Sequence, residues 1–152
     1  MRSTTIAQVQ CHIGAPIDQV FNAIADHEIF LGSQQGITVK ILQPGNHERN
    51  GLGCVREVRV GVRTYYVEEI TAWDRPKLFE YTIRETSLPL RHEVSRLVFM
   101  SRDGGTDVEW SSRFSVMVPL IGRLLDLYFR RQLMNSFARF LAVTKSRLEH
   151  IK

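Results

Sequence analysis

Cysteine is scarce in this chain. Cys11 and Cys54 are the only two in 152 residues, too few for a disulfide framework and without the Cys-x-x-Cys spacing of a zinc or redox site, so both are expected as buried thiols. Long apolar runs are also missing: no window reaches the 18 or so residues of a membrane-spanning helix, and the opening MRSTTIAQVQ has no apolar leader core, which points to a soluble, cytoplasmic protein. There is no Gly-x-Ser-x-Gly, no Gly-x-x-x-x-Gly-Lys-Ser/Thr and no Gly-x-Gly-x-x-Gly after a strand, which removes the common serine-hydrolase, P-loop and dinucleotide signatures. His-Glu occurs at 27–28, 47–48 and 92–93, but where a zinc-binding helix needs its second histidine the chain has Leu31, Gly51 and Arg96. His12 and His150 complete no cluster. No metal or other cofactor is expected, and each histidine is expected on the surface or in a loop.

With 43% hydrophobic and 24% charged residues, 10 Gly and 5 Pro, the composition suits one globular domain over residues 1–152. The net charge of +4 is unevenly placed: residues 120–152 carry Arg123, Arg130, Arg131, Arg139, Lys145, Arg147 and Lys152 against Asp126 and Glu149, whereas residues 1–119 hold one more acid than base. A basic C-terminal helix is either a solvated face or a surface for peripheral contact with anionic membrane. The slightly acidic remainder and the lack of an RNA-recognition motif argue against nucleic acid. Nothing in the sequence sets an oligomeric state.

Residues 5–13 alternate, with Ala7, Val9, Cys11 and Ile13 on one face and Gln8, Gln10 and His12 on the other, the period of a half-buried strand. Gly14-Ala15-Pro16 breaks it, Pro16 suits the first turn of a helix, and Ile17, Val20, Phe21 and Ile24 recur at helical spacing to about Asp26. A second helical turn and a loop fill 27–36, since Gly32-Ser33-Gln34-Gln35-Gly36 has no apolar period. Six further strands are predicted at 37–43, 53–61, 63–73, 77–86, 91–101 and 106–118, separated by turn signals such as Asp74-Arg75-Pro76 and Asp103-Gly104-Gly105. Connections this short force antiparallel neighbours. In the last strand Trp110, Ser112 and Phe114 share an inward face; Phe79, Tyr81 and Ile83 do so in 77–86. Strand 63–73 has apolar residues on both faces and predicts a bulge. From Pro119 the pattern is helical, but its stripe changes side: Leu120, Ile121, Leu124, Leu125 and Tyr128 give way to Leu133, Phe137, Phe140, Leu141, Thr144 and Leu148. That predicts a kink or break near 129–132.

One strand, a helical pair, a six-stranded meander and a long C-terminal helix resemble the helix-grip fold, an α+β arrangement in which a curved seven-stranded antiparallel sheet wraps the last helix. Four local stretches agree in order. Ala15-Pro16-Ile17-Asp18-Gln19-Val20-Phe21 followed by Ile24-Ala25-Asp26 is similar to the first helix of the START-like superfamily, polyketide cyclase/dehydrase and lipid-transport group. Trp73-Asp74-Arg75-Pro76-Lys77 is similar to that group's Asp-x-Pro turn, Gly104-Gly105-Thr106-Asp107-Val108-Glu109-Trp110 to its Gly-Gly-Thr hairpin, and Val118-Pro119-Leu120-Ile121-Gly122 to the lead into its last helix. The Trp-Asn-Pro-like sequence common after the second short helix is replaced here by Leu31-Gly32-Ser33-Gln34-Gln35. The resemblance implies a cavity between sheet and long helix that holds a small hydrophobic molecule; no motif carries a catalytic role across with it.

The residues expected to line such a cavity are Phe79, Tyr81, Leu97, Phe99, Trp110, Ser112, Phe114, Met134, Phe137 and Leu141. Ser112 and Tyr81 put hydroxyls on inward faces, where each meets either an ordinary partner in a packed core or a ligand. The other polar strand residues, Glu57, Arg59, Glu68, Glu80, Tyr66, His92, Glu93 and Arg96, are expected on the solvent face. Three functions fit. The first is binding or transport of a lipid, quinone or polyketide-like molecule. The second is a cyclase or dehydratase using an acid or base among Glu57, Glu68, Glu80, His92 and Glu93, which requires one of them inside. The third is a protein-interaction module with a collapsed cavity.

Overall fold

The computed structural model of the chain describes residues 4–150. The ends of the expected 1–152 domain, with Lys152 of the basic tally, lie outside the described residues. Apart from the first strand, which pairs with the last, the period-two segments pair in sequence order, as short turns require. The strands are Thr5–Ile13 (β1), Ile37–Gln43 (β2), Val55–Val60 (β3), Thr64–Asp74 (β4), Leu78–Thr86 (β5), Leu90–Arg102 (β6) and Gly105–Val116 (β7). They form one antiparallel sheet in the order β1-β7-β6-β5-β4-β3-β2. β1 and β2 are its free edges, so the curved sheet stays unclosed.

Asp103 (φ 48) and Gly104 (φ 74) turn β6 into β7, and Arg102 faces Gly105 across them. Two consecutive left-handed residues match the right-handed twist of a two-residue hairpin, which is why Asp-Gly is found there. The expected irregularity in the fourth strand is present: the β4–β5 register shifts between Val67 and Glu68 and again between Ile70 and Ala72.

Ile17–Ala25 (α1) and His27–Gly32 (α2) meet at Asp26, whose Oδ1 accepts from the Ile29 N–H at 3.3 Å and so caps the second helix. Val20, Phe21 and Ile24 of α1 are fully buried. Phe21 sits edge-on against Trp73, Phe79 and Phe99, at centroid distances of 5.2, 5.9 and 5.0 Å. This end of the interior is therefore filled by aromatic packing. His27 corrects the sequence reading: it is fully buried on α2, with its imidazole 5.7 Å from the Phe79 ring. It shares a helix face with buried Phe30 and Leu31, three and four residues on, and the packing of that face carries it inside.

The long helix Gly122–Glu149 (α3) also differs from expectation. The change of stripe predicted a break near 129–132, yet α3 is one helix throughout. Leu124, Leu127 and Tyr128 are exposed, and the side that packs is Leu125, Phe129 and Leu133, continuing into Phe137, Phe140, Leu141 and Thr144. Those positions form a single stripe at helical spacing, so no kink is needed. Of the first stripe seen in the sequence only Leu125 helps to hold the helix down; Leu120, Ile121, Leu124 and Tyr128 are exposed.

Candidate functional site

Between sheet and α3 lie two apolar clusters with a band of polar side chains. The larger cluster holds Phe79, Leu97, Phe99, Trp110, Phe137 and Leu141 together with Phe21 and Phe30. The smaller is Ala7, Phe114 and Val116, covered by half-buried Leu90, Leu125, Phe129, Leu133 and Met134. Trp110 stacks face to face on Phe137, 3.9 Å between centroids and 8° between planes, so sheet and helix are in direct contact there.

The polar band crosses five strands. In β3 and β4, Arg56 Nε and Glu68 Oε2 are 2.6 Å apart, the residues only 2% and 7% exposed. The Arg56 guanidinium lies 4.8 Å over the ring of Tyr81 in β5. The Tyr81 hydroxyl accepts from Trp110 Nε1 at 3.2 Å, and its ring lies parallel to the imidazole of His92 in β6, 6.1 Å between centroids. Burial, followed by the Glu68 carboxylate, raises the Tyr81 phenol, so it stays protonated. Burial likewise pushes Tyr66, beside Glu68, up to about 12.

His92 begins a directional chain of hydrogen bonds. The backbone N–H of Ile83 donates to His92 Nδ1 at 3.0 Å. A nitrogen that accepts carries no proton, so the imidazole is neutral and its hydrogen is on Nε2. Burial agrees, taking the His92 pKa down to about 4 against a smaller opposing pull from Glu93. Nε2 then donates to Ser95 Oγ at 2.8 Å, and Ser95 Oγ donates to Ser112 Oγ at 2.9 Å. The chain ends on the Ser112 hydroxyl, and Ser95 is also hydrogen-bonded to the Tyr81 hydroxyl, which ties the row to the phenol. At neutral pH the band is thus uncharged overall: one closed ion pair, a neutral imidazole, a phenol and two hydroxyls.

Of the ten expected lining residues, Tyr81, Trp110 and Ser112 come together in this band, with Phe137 stacked on it. Phe114 and Met134 fall in the smaller cluster, and Phe79, Leu97, Phe99 and Leu141 pack in the larger one. Three expectations are corrected. Glu68 faces inward because Arg56 pairs with it, and His92 because Ile83 and Ser95 satisfy both its nitrogens. Tyr66 is half-buried against the larger cluster. Arg56 and Ser95 were not singled out in the sequence at all. By contrast Glu57, Glu80 and Glu93 make ion pairs with exposed Arg59, Arg96 and Arg113.

Apart from this band, an open cleft of about 200 Å³ lies where α1 and α2 meet the β2–β3 connection, lined by Asn22, Asp26, Glu48, Arg49, Asn50 and Arg75. Glu48 pairs there with Arg75 at 2.8 Å and Arg49 with Glu28, while Asp26 is taken up in capping α2. His27 beside the cleft reaches the Asn50 carbonyl through Nε2 at 2.9 Å, while its Nδ1 has no partner. Among the described residues no group of His, Cys, Asp and Glu could hold a metal ion, and no helix is long and apolar enough to cross a membrane.

A family model described as polyketide cyclase / dehydrase and lipid transport matches residues 4–149. No curated protein matches the chain. Among solved structures, a Thermus thermophilus protein superposes with a TM-score of 0.78 at 17% identity, covering 97% of this chain and 99% of that one. A START superfamily protein from Mycobacterium smegmatis gives 0.75 at 12% identity, with 97% and 99% covered. The Zhui aromatase/cyclase from a Streptomyces species gives 0.76 at 18% identity, with 99% and 97% covered. At these identities the likeness is one of fold, the helix-grip arrangement expected from the order of elements.

Proposed function

The chain belongs to the polyketide cyclase / dehydrase and lipid transport family, and from that premise we propose that it binds a small, uncharged hydrophobic molecule that carries an acceptor oxygen. The observation behind this reading is the buried row of neutral polar groups, Tyr81, His92, Ser95 and Ser112, set between two apolar clusters. A few hydroxyls among apolar side chains are what orients a neutral ligand, and its ketone, quinone or hydroxyl oxygen would accept from Ser112. The ligand is uncharged because nothing in the band would neutralise it: Arg56 is already matched by Glu68, and His92 is held neutral. Apolar side chains on either side, with Met134 as an adaptable wall, would hold the rest of the molecule.

Native mass spectrometry of protein purified without detergent, followed by analysis of its organic extract, tests the reading. The expected result is one neutral carbonyl- or hydroxyl-bearing compound per chain, bound about three- to tenfold more weakly by Ser112→Ala, the worth of one hydrogen bond. A stoichiometric carboxylic acid would refute the neutral ligand. Failure to bind any of a panel of quinones, sterols and flavonoids would refute binding altogether.

The cyclase or dehydratase reading is favoured by one observation, that Glu68 and His92 are inside. An imidazole with a pKa of about 4 is a weak base at neutral pH, so turnover would rest on Ser112 polarising a carbonyl more than on proton abstraction. A poly-β-ketone thioester whose products are the same with and without the protein would remove this reading.

A further inference from the structure

The segment leading into α3 and the first three turns of that helix form an apolar surface that none of the described chain covers. Leu120 is completely exposed at φ 69, Leu124, Leu127 and Tyr128 are 70, 62 and 57% exposed, and Met117 and Ile121 are exposed beside them. Leu124, Leu127, Tyr128 and Arg131 follow the spacing of one helix face. A leucine in the left-handed region is unfavourable, and what that conformation achieves here is to point an isobutyl group straight into solvent.

The charge around the patch has one sign. Arg123, Arg131 and Arg139 make no salt bridge among the described residues, and Arg130 donates only to the Ile6 carbonyl, at 2.9 Å. Asp126, the one acid in residues 117–139, is turned inward and accepts from the Val116 N–H at 2.9 Å. A second copy docked face to face would set these arginines against themselves, so the charge argues against a symmetric dimer through this surface. A bilayer with anionic headgroups suits both features, taking leucines at the acyl boundary, a tyrosine at headgroup level and arginines on the phosphates.

We propose that Leu120, Leu124, Leu127 and Tyr128, flanked by Arg123, Arg130 and Arg131, dock this protein on an anionic phospholipid bilayer. The proposal goes beyond the ligand reading and stands without it. The opposite side of the same helix turns carries Leu125, Phe129, Leu133 and Met134, which cover the smaller apolar cluster. Docking would therefore set the bilayer against the part of the helix that covers this end of the interior.

Flotation of the full chain with phosphatidylcholine vesicles, with and without phosphatidylglycerol, tests it. Binding is expected to the anionic vesicles, weakening as salt is raised, with much less on phosphatidylcholine alone. Leu120→Gly, which suits the left-handed backbone, and Leu124→Ser should each weaken binding about tenfold or more. Arg123→Gln and Arg131→Gln should each weaken it about fivefold. Val62→Ser, which removes a side chain 96% exposed in the β3–β4 turn, should change nothing. Equal binding to both vesicle types, binding to neither, or binding indifferent to Leu120→Gly and Leu124→Ser would overturn the proposal. So would a dimer in sedimentation equilibrium that Leu124→Ser dissociates, which would assign the surface to a second copy.

Discussion

Splitting the buried ion pair is the sharpest test of the interior. Arg56 and Glu68 are almost out of reach of solvent, and their 2.6 Å contact is the only charge neutralisation either has in the band. Arg56→Met leaves a carboxylate facing the Tyr81 ring and Tyr66, and Glu68→Leu leaves a guanidinium over the same ring. Either change strands a buried charge and should cost about 3–5 kcal/mol, a large part of the roughly 5–15 kcal/mol that holds a small domain together. The double variant removes both charges and should recover most of the loss, since well-packed apolar replacements of such pairs are commonly near neutral. Urea unfolding followed by tryptophan fluorescence in a Trp73→Phe background, so that only Trp110 and its stack on Phe137 report, gives the three free energies. The two losses should be strongly non-additive, coupled by about 3 kcal/mol or more. Additive losses of less than about 1 kcal/mol each would mean that the charges are hydrated in solution, and the argument for a neutral ligand would fall with them.

Acid should destabilise the fold through the histidines. His92, taken from 6.5 to about 4, and His27, lowered well below 6.5 by burial and by Arg56, both refuse in the folded state a proton that the unfolded chain accepts. Stability is thus complete above pH 6.5 and falls as pH drops towards 4, by on the order of 3 kcal/mol for His92, and His27 adds in the same direction. Urea midpoints measured across that range should fall steeply for the wild type and less so for His92→Asn; a flat wild-type profile would refute the neutral imidazole. At the β1–β7 junction, a Cβ on Gly105 would stand 2.5 Å from the Ile13 carbonyl oxygen, so Gly105→Ala should lose about 1–3 kcal/mol in the same unfolding assay. Gly32→Ala, at the end of α2 with nothing within 4 Å of the new methyl, should instead gain about 0.5–1 kcal/mol. Phe137→Ala removes the ring stacked on Trp110 and should cost about 3–5 kcal/mol with, in the Trp73→Phe background, a red shift in Trp110 emission; an unshifted spectrum there would show that the stack is not held in solution.

The sheet was legible because most of its strands bury one face, and a strand such as β7, with Trp110, Ser112 and Phe114 on one side, says which face that is. Where both faces are buried, the alternation stops discriminating. In β3 Val55 is 6% exposed on one side while Arg56 and Val58 are buried on the other, so hydropathy alone could not place Arg56. In α3 and the residues leading into it the misleading signal was the opposite one: Leu120, Leu124 and Tyr128 look like a core stripe and face solvent, and only the packed positions Leu125 and Phe129 continue the stripe that holds the helix. His27 carried a readable clue in its spacing to Phe30 and Leu31.

Much of the candidate site was nonetheless available through hairpin symmetry. A tight turn makes partners equidistant from its centre as long as no bulge intervenes. Arg56 and Glu68 lie equally far from Val62 and face each other across β3 and β4, so an arginine and a glutamate at mirrored positions already announce a cross-strand pair. The Asp103–Gly104 turn in the same way sets Ser95 opposite Ser112, so the inward hydroxyl of one implies the other. The rule fails at the bulge between His92 and Val94, where the register slips by one residue. That slip lies between His92 and Ser95, the two residues whose contact begins the proton-ordered chain, and it is why the histidine could be found only in three dimensions.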